Sequence, residues 1–528
     1  MSAPDEVHCI IKCHYYKGVC SDLIGVMVSK ITAAIPIGYQ GVLIEIEGDT
    51  NRGLPGFQIV GMGNKTIDEA KERVRSAINN AGMEFPNKKI TINLAPAELA
   101  KDGAYLDLPI ALSVMMLSGQ LKQSEVDGKM FVGELALDGA VRPIRGVVNI
   151  VEVAKKKRLK TVFVPIKNVW QARLISGIEV VGVQNLKELF LHLKGEVEIR
   201  EDTEVVAPKR KARKNSVIFD HVRGQEQAKR ALTIAIAGRH GILISGPPGA
   251  GKTMLARAAT SLLPELSSAE KVELTKIHSI AGCTDGIVQE RPFRAPHHSA
   301  SMTSIVGGGS KPKPGEISLA HHGVLFLDEF PEYQRTTLEA LRQPLEDKKV
   351  TISRTNYKVT YPADFILVAT MNPCPCGFLG DPGHECTCTT TQILNYQKKL
   401  SGPLMDRIDL VVEVSKVAND DLLNDQKTML SEQHNKAVVL IETARQYQLD
   451  RYQCSKTYNG SLSSNDVSAQ IQITKKGREL LSLASDKMSL SARSYFKIIK
   501  VARTIADLEG DDSVDTQHIS EALQYRKR

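Results

Sequence analysis

The sequence predicts an α/β protein in three parts, two α/β domains in series followed by a closing helical domain. Three observations carry this. Strand-like and helix-like apolar runs alternate from Lys30 to about Leu193 and again from about Val217 to Val414. A glycine-rich loop from Gly246 to Thr253 lies between a strand-like and a helix-like run. The chain ends in an amphipathic stretch from Ser489 to Leu508, with Gly510 as its stop.

Composition sets the limits. A chain of 528 residues is too long for one hydrophobic core and suggests about three domains, and 42% apolar with 24% charged residues excludes disorder on a large scale. The longest apolar run, Leu106 to Leu117, carries Asp107 and Pro109 and falls short of the roughly twenty residues a bilayer needs. Asp5, Glu6 and His8 stand where a secretory signal would be apolar, so the expected compartment is the cytoplasm, with no membrane partner. Of nine cysteines, four fall between 374 and 388, which suggests a metal and not disulfides. The net charge of +8 favours approach to a polyanion without identifying one.

In chain order, residues 1–27 are set apart as an N-terminal extension, because Cys9, Cys13, Cys20 and His14-Tyr15-Tyr16 follow no period. Residues 28–195 form the first α/β domain, with strands at Gly41 to Ile46, Phe57 to Val60, Lys89 to Leu94 and Thr161 to Val164, and helices at Ile67 to Ala81 and Leu108 to Leu117. Residues 196–216 form a basic linker with Lys209, Arg210, Lys211, Arg213 and Lys214 nearly contiguous, a solvated connection or an arm for nucleic acid. The second α/β domain spans 217–414 and the helical domain 415–528.

The loop Gly246, Pro247, Pro248, Gly249, Ala250, Gly251, Lys252, Thr253 satisfies G-x-x-x-x-G-K-[ST] in its required context, between the strand Gly241 to Ser245 and the helix Met254 to Leu263. Its backbone N–H groups and helix N-terminus suit the phosphates of ATP, Lys252 suits the β- and γ-phosphates, and Thr253 suits Mg²⁺. The buried strand Val324 to Leu327 delivers Asp328 and Glu329 to the same sheet edge, Asp328 for the magnesium and Glu329 to polarise the attacking water. A third strand, Phe365 to Ala369, leads to Asn372, whose amide suits orientation of that water. Ser401-Gly-Pro-Leu-Met-Asp406-Arg407-Ile-Asp409 resembles the arginine-finger segment of ring ATPases. Arg407 then serves a neighbouring subunit, or else pairs with Asp406 or Asp409. In the closing helix Arg493, Lys497, Lys500 and Arg503 share one face, expected to be largely solvated, and Arg493 matches the sensor 2 position of AAA+ lids, a second γ-phosphate contact.

Together these pieces resemble the Mg-chelatase-like branch of AAA+ proteins, and most closely the ComM/YifB family. The marks are Arg52-Gly-Leu-Pro-Gly-Phe57, Asn93-Leu-Ala-Pro-Ala97, Phe293-Arg-Ala-Pro-His-His298, Pro314-Gly-Glu-Ile-Ser-Leu-Ala-His321 and Asn372-Pro-Cys-Pro-Cys-Gly377. The resemblance implies a homohexameric ring that hydrolyses ATP and migrates branched DNA during natural transformation, with the 415–528 domain as a helical lid. It also turns the glycine-rich segment Gly307 to Gly315, with Lys311 and Lys313, from a plain surface loop into a pore loop. A hairpin from Lys349 to Tyr361, with Arg354 and Lys358 near its tip, lies where ring helicases carry the pre-sensor hairpin, so these two are phosphate-contact candidates on single-stranded or branched DNA. An ordinary solvated hairpin fits as well.

His297-His298 and His321-His322 have no acidic partner at ligand spacing, and adjacent side chains diverge, so polar structural roles are expected. Cys374, Cys376, Cys386 and Cys388 fit a closed four-thiolate zinc site, although paired C-x-C spacings are tighter than those of common fingers. In the first domain Lys101-Asp-Gly103, Asp107-Leu-Pro-Ile-Ala-Leu112 and Gly133 to Ile144 resemble the Lon-protease proteolytic fold. The positions matching its nucleophile and its lysine are Tyr105 and Val148, which can serve neither role. The expectation is a Lon-protease-like scaffold without the catalytic dyad. The rival to a DNA motor is a Mg-chelatase-type motor that remodels a protein partner, and Tyr105 and Val148 oppose an ATP-dependent peptidase.

Overall fold

The computed structural model of the chain describes residues 28–199, 219–416 and 430–526, apart from 52, 62–65, 100, 102, 310–311, 355–356 and 382. The N-terminal extension, all but the first few linker residues, Lys311 and the Arg354 side chain lie outside the described residues.

Alternating sequence in the first domain builds one seven-stranded sheet, in spatial order Gly56–Val60, Lys89–Ala95, Gln40–Asn51, Ser29–Ile37, Lys129–Phe131, Thr161–Pro165 and Glu179–Val183. In Lys89–Ala95 the period of two sends Ile90, Ile92 and Leu94 fully into the core and leaves Lys89 outside. The helix Asp107–Leu117 is apolar on every side and is buried along its whole length. Its one charge, Asp107, meets Arg73 of the helix Thr66–Asn80 at 2.7 Å, and burial still pushes the carboxyl up to about 6.

In the second domain five strands pair in parallel, in the order Phe293–Arg294, Val324–Leu327, Ile366–Met371, Ile242–Ser245 and Leu410–Glu413. The register sets Leu327 beside Ala369 and Ile244 beside Thr370, so three strands end level with one another. Their following loops converge on one sheet edge, where open parallel sheets bind ligands.

The helical domain comprises Leu430–Tyr452, Lys475–Met488, Ala492–Glu509 and Thr516–Gln524, with two shorter turns between the first and second. Its apolar side shares a single cluster with one face of the parallel sheet, from Ile244 and Phe326 to Ile498 and Ile505. The basic face of Ala492–Glu509 is not solvated, contrary to expectation. Arg503 is fully buried on Asp507 at 2.9 Å and on the carbonyls of Asp511 and Asp512, while Lys497 donates to the Ile408 carbonyl. Acceptors from neighbouring segments satisfy these cations, so burial is tolerated. Arg493, in the first turn, stays more than half exposed.

The helix Ser268–Ala281 joins the two α/β domains. Ser267 caps its start in a capping box with Glu270, and Gly282, at φ +75°, ends it. From this helix Lys276 reaches Glu152 of the first domain at 2.9 Å and lies 4.2 Å from the centre of the Tyr39 ring, while the Ser279 hydroxyl accepts from the Gly146 N–H. Packing is reciprocal: Val272 enters the first domain's core, and Tyr39 enters the cluster that contains Tyr361 and Val350. Gly38, beside Tyr39, has φ +58° and so little room that a Cβ would fall 2.0 Å from Val359. Only glycine serves there. No helix among the described residues is long and apolar enough to cross a membrane.

Candidate functional site

The three convergent strand ends surround a cavity of about 350 Å³, lined by Pro248 to Met254, Asp328, Glu329 and Thr370 to Asn372. Gly249 and Gly251 sit at φ +79° and +81° with open space where a Cβ would be. The loop thus turns its backbone toward the cavity at positions that L side chains rarely adopt. Helix Lys252–Ser261 begins directly at the lysine, two residues earlier than the sequence suggests, and aims its N-terminus at the same space.

Lys252 Nζ donates to the carbonyls of Gly246 (2.5 Å) and Pro247 (3.0 Å) and to Asn372 Oδ1 (2.9 Å). Burial lowers its affinity for a proton, and Asp328 and Glu329 oppose that effect. Thr253 Oγ1 donates to Asp328 Oδ2 at 3.3 Å. The structure adds a residue that motif reading passed over. The Thr370 hydroxyl donates to Asp328 and accepts from the Glu329 N–H at 3.2 Å, so one side chain fixes both acidic positions. Its signal was the register, which sets Thr370 level with Asp328 and which the sequence does not display. Glu329 itself is a non-glycine residue at φ +50°, a conformation that concentrates at functional sites.

Arg407 and Arg493 do not line this cavity. They meet each other instead: Glu346 Oε1 lies 2.6 Å from Arg407 and 3.0 Å from Arg493, and Arg407 also donates to the Pro403 carbonyl at 2.5 Å. The partner is neither Asp406 nor Asp409, and Asp409 is engaged by His240 at 2.9 Å. The hydrogen bond from Arg407 holds the Glu346 carboxyl below its usual range. Nothing in the sequence around Glu346 marks it as the shared partner of both arginines.

The four cysteine sulfurs lie within 4.8 Å of one another, with Cys374 to Cys376 at 3.3 Å, Cys376 to Cys386 at 3.6 Å and Cys374 to Cys386 at 3.7 Å. Zinc bonded at about 2.3 Å in a regular tetrahedron needs sulfurs about 3.8 Å apart. The donor set therefore fits that ion. The cysteine loop packs onto the phosphate loop, since a Cβ on Gly377 would fall 2.8 Å from Pro248.

His321 and His322 do have an acidic partner. Glu273 Oε2 lies 3.1 Å from His321 Nε2 and 2.8 Å from His322 Nε2. Adjacent side chains converge because His322 adopts φ +55°, which folds its ring to 3.7 Å from its neighbour. His321 Nδ1 accepts from the Asp364 N–H, so Nε2 carries the proton and donates, which suits a hydrogen-bonded cluster and not a metal. The partner was illegible because Glu273 stands far away in sequence. Lys313 and Lys358 are both exposed on their hairpins, Gly307–Gly308 with Lys313–Pro314 and Lys349–Arg354 with Tyr357–Pro362. In the first domain Val148 is fully buried and Tyr105 packs against the core, leaving no peptidase dyad at those positions.

Comparison with known proteins agrees with this architecture. The magnesium chelatase subunit ChlI description matches residues 218–422, a second description of the ChlI subunit of Mg-chelatase matches 46–168, and its C-terminal part matches 431–526. Competence protein ComM of Haemophilus influenzae is 42% identical over 495 residues, covering 93% of this chain and 96% of that protein. The protein YifB of Escherichia coli is 41% identical over 493 residues, 93% of this chain and 95% of that protein. Lon protease 2 of Bacillus subtilis is 30% identical over 153 residues, 26% of this chain and 27% of that protein.

Proposed function

The chain belongs to the ComM/YifB family of Mg-chelatase-like AAA+ proteins, and from that premise we propose that it is an ATP-driven DNA motor. It would work as a homohexameric ring on single-stranded and branched DNA, promoting branch migration in natural transformation and homologous recombination. The observation that carries the reading is the convergence of Lys252, Thr253, Asp328, Glu329 and Asn372 on one cavity while Arg407 and Arg493 are held together elsewhere on the same chain.

Within this site Lys252 exchanges its carbonyl and Asn372 contacts for the β- and γ-phosphates, which frees the Asn372 amide to orient water. Glu329 accepts the proton of that water as hydrolysis proceeds. Magnesium held by Thr253 and Asp328 supplies charge neutralisation across the phosphates. Arg407 and Arg493, released from Glu346, serve the nucleotide of a neighbouring copy. Lys311, Lys313, Arg354 and Lys358 are the proposed phosphate contacts on DNA, and Cys374, Cys376, Cys386 and Cys388 are a proposed structural zinc site.

The test is ATP turnover with single-stranded and branched DNA, coupled to a strand-exchange readout, in the wild type and in Glu329→Gln. DNA should stimulate turnover, and Glu329→Gln should bind nucleotide and DNA but neither hydrolyse nor exchange strands. Absence of both DNA binding and stimulation would sink the DNA reading and favour remodelling of a protein partner, as in the Mg-chelatase branch. Arg407 is tested by mixing: Arg407→Ala and Lys252→Ala chains, each inactive alone, should regain turnover when combined.

A further inference from the structure

We propose that His298 is a positioning residue that holds Glu329 away from the attacking water until the basic loop beyond it is engaged. This rests on the DNA-motor reading above for the identity of the engaging ligand, though not for the contact itself.

His298 Nδ1 lies 3.5 Å from Glu329 Oε2, and its ring meets Tyr333 edge to face with centres 6.4 Å apart. Tyr333 is fixed in turn by its hydroxyl, which donates to the Pro296 carbonyl at 2.6 Å. The neighbouring His297 is occupied by Ser299 at 2.8 Å, so of the two histidines it is His298 that addresses the carboxylate. Both side chains of the pair are substantially exposed, 36% for His298 and 53% for Glu329. Such a pair is worth no more than about 1 kcal/mol, enough to bias a carboxylate and weak enough to release it.

The placement of His298 gives the contact a purpose. The segment from Arg294 to Glu316 is a closed loop, pinched at its feet by the two-pronged pair of Arg294 with Glu316 at 2.5 and 2.7 Å. Two of the sequence motifs, Phe293 to His298 and Pro314 to His321, are therefore the two feet of one structure. His298 stands on the rising limb, and the falling limb carries Lys313. Between them Ile305 is buried in the apolar cluster, and the far end rests on the neighbouring hairpin through the Tyr361 hydroxyl, which donates to the Pro312 carbonyl at 2.7 Å. A phosphate backbone that pulls on this loop or on the hairpin beneath it shifts a short, pinned segment whose foot touches Glu329.

Three variants test the assignment by steady-state ATP turnover with and without single-stranded DNA. His298→Ala and His298→Leu remove the donor, and Leu keeps bulk against Tyr333. His298→Asn keeps a donor near the Nδ1 position. Ala and Leu should raise the DNA-independent kcat about fivefold, the ceiling for a partly exposed ion pair, with KM for ATP and the DNA-stimulated kcat unchanged. Asn should restore the low basal rate. If the basal rate does not rise, or if basal and stimulated rates fall by a common factor, the proposal is overturned. Should the wild type neither bind DNA nor respond to it, the DNA reading fails separately, and the DNA-free kcat of the same variants still decides the role of His298.

Discussion

Two lysines in this chain occupy similar cradles with different consequences. Lys252 donates to two backbone carbonyls and an amide oxygen, and Lys101 of the first domain donates to the carbonyls of Gly61, Leu94 and Pro96. Burial lowers the proton affinity of both. Lys252, however, borders a cavity of about 350 Å³ and feels Asp328 and Glu329, whereas Lys101 is 5% exposed with no acidic neighbour contributing to its shift. What separates a working cation from a structural one is an open side facing carboxylates. Desolvation alone does not distinguish them.

Substitution should pull the two apart. Lys252→Ala should lower ATP turnover about a thousandfold, as loss of a transition-state donor does, and leave the melting temperature nearly unchanged. Removing metal from the cysteine cluster, which packs on Pro248 and precedes the lid, should lower turnover about tenfold or more by displacing Asn372. Metal analysis should find one zinc per chain before chelation. Lys101→Met should leave turnover intact and cost about 2 kcal/mol in stability, because three carbonyls lose their donor, and thermal melting reads this directly. Equal loss of activity in Lys101→Met and Lys252→Ala would erase the distinction.

The smallest expected effect concerns pH. Burial pulls His321 down to about 4 from 6.5, and hydrogen bonds from His321 and His322 hold Glu273 well below the carboxylate range. The unfolded chain therefore takes up a proton at position 321 before the folded one does. That contribution is fully present above 6.5 and is lost as pH falls toward 4, about 1 kcal/mol of it by about pH 5.5. Glu273 adds a loss in the same direction below its unfolded value. In His321→Gln, thermal melting should depend less steeply on pH over this window.

The fold was legible where local chemistry decided it. Alternation placed Ile90, Ile92 and Leu94, and the strand-loop-helix context placed Lys252 and Thr253, because each depends only on neighbours in sequence. Sequence could not show what partner a charge finds from a distant segment. The basic face of Ala492–Glu509 looked solvated because its acceptors at Ile408 and Asp512 come from other turns of chain. Glu346 as the meeting point of Arg407 and Arg493, Glu273 beneath two histidines, and Thr370 between two acids were hidden for the same reason.

The exchange of Tyr39 and Val272 between the two α/β domains bears on how the chain comes apart. Each domain completes part of the other's interior, and Gly38 lies too close to Val359 for either to slide. Heating should therefore melt residues 28–199 and 219–416 in one cooperative transition, where two domains merely tethered by a linker would give two.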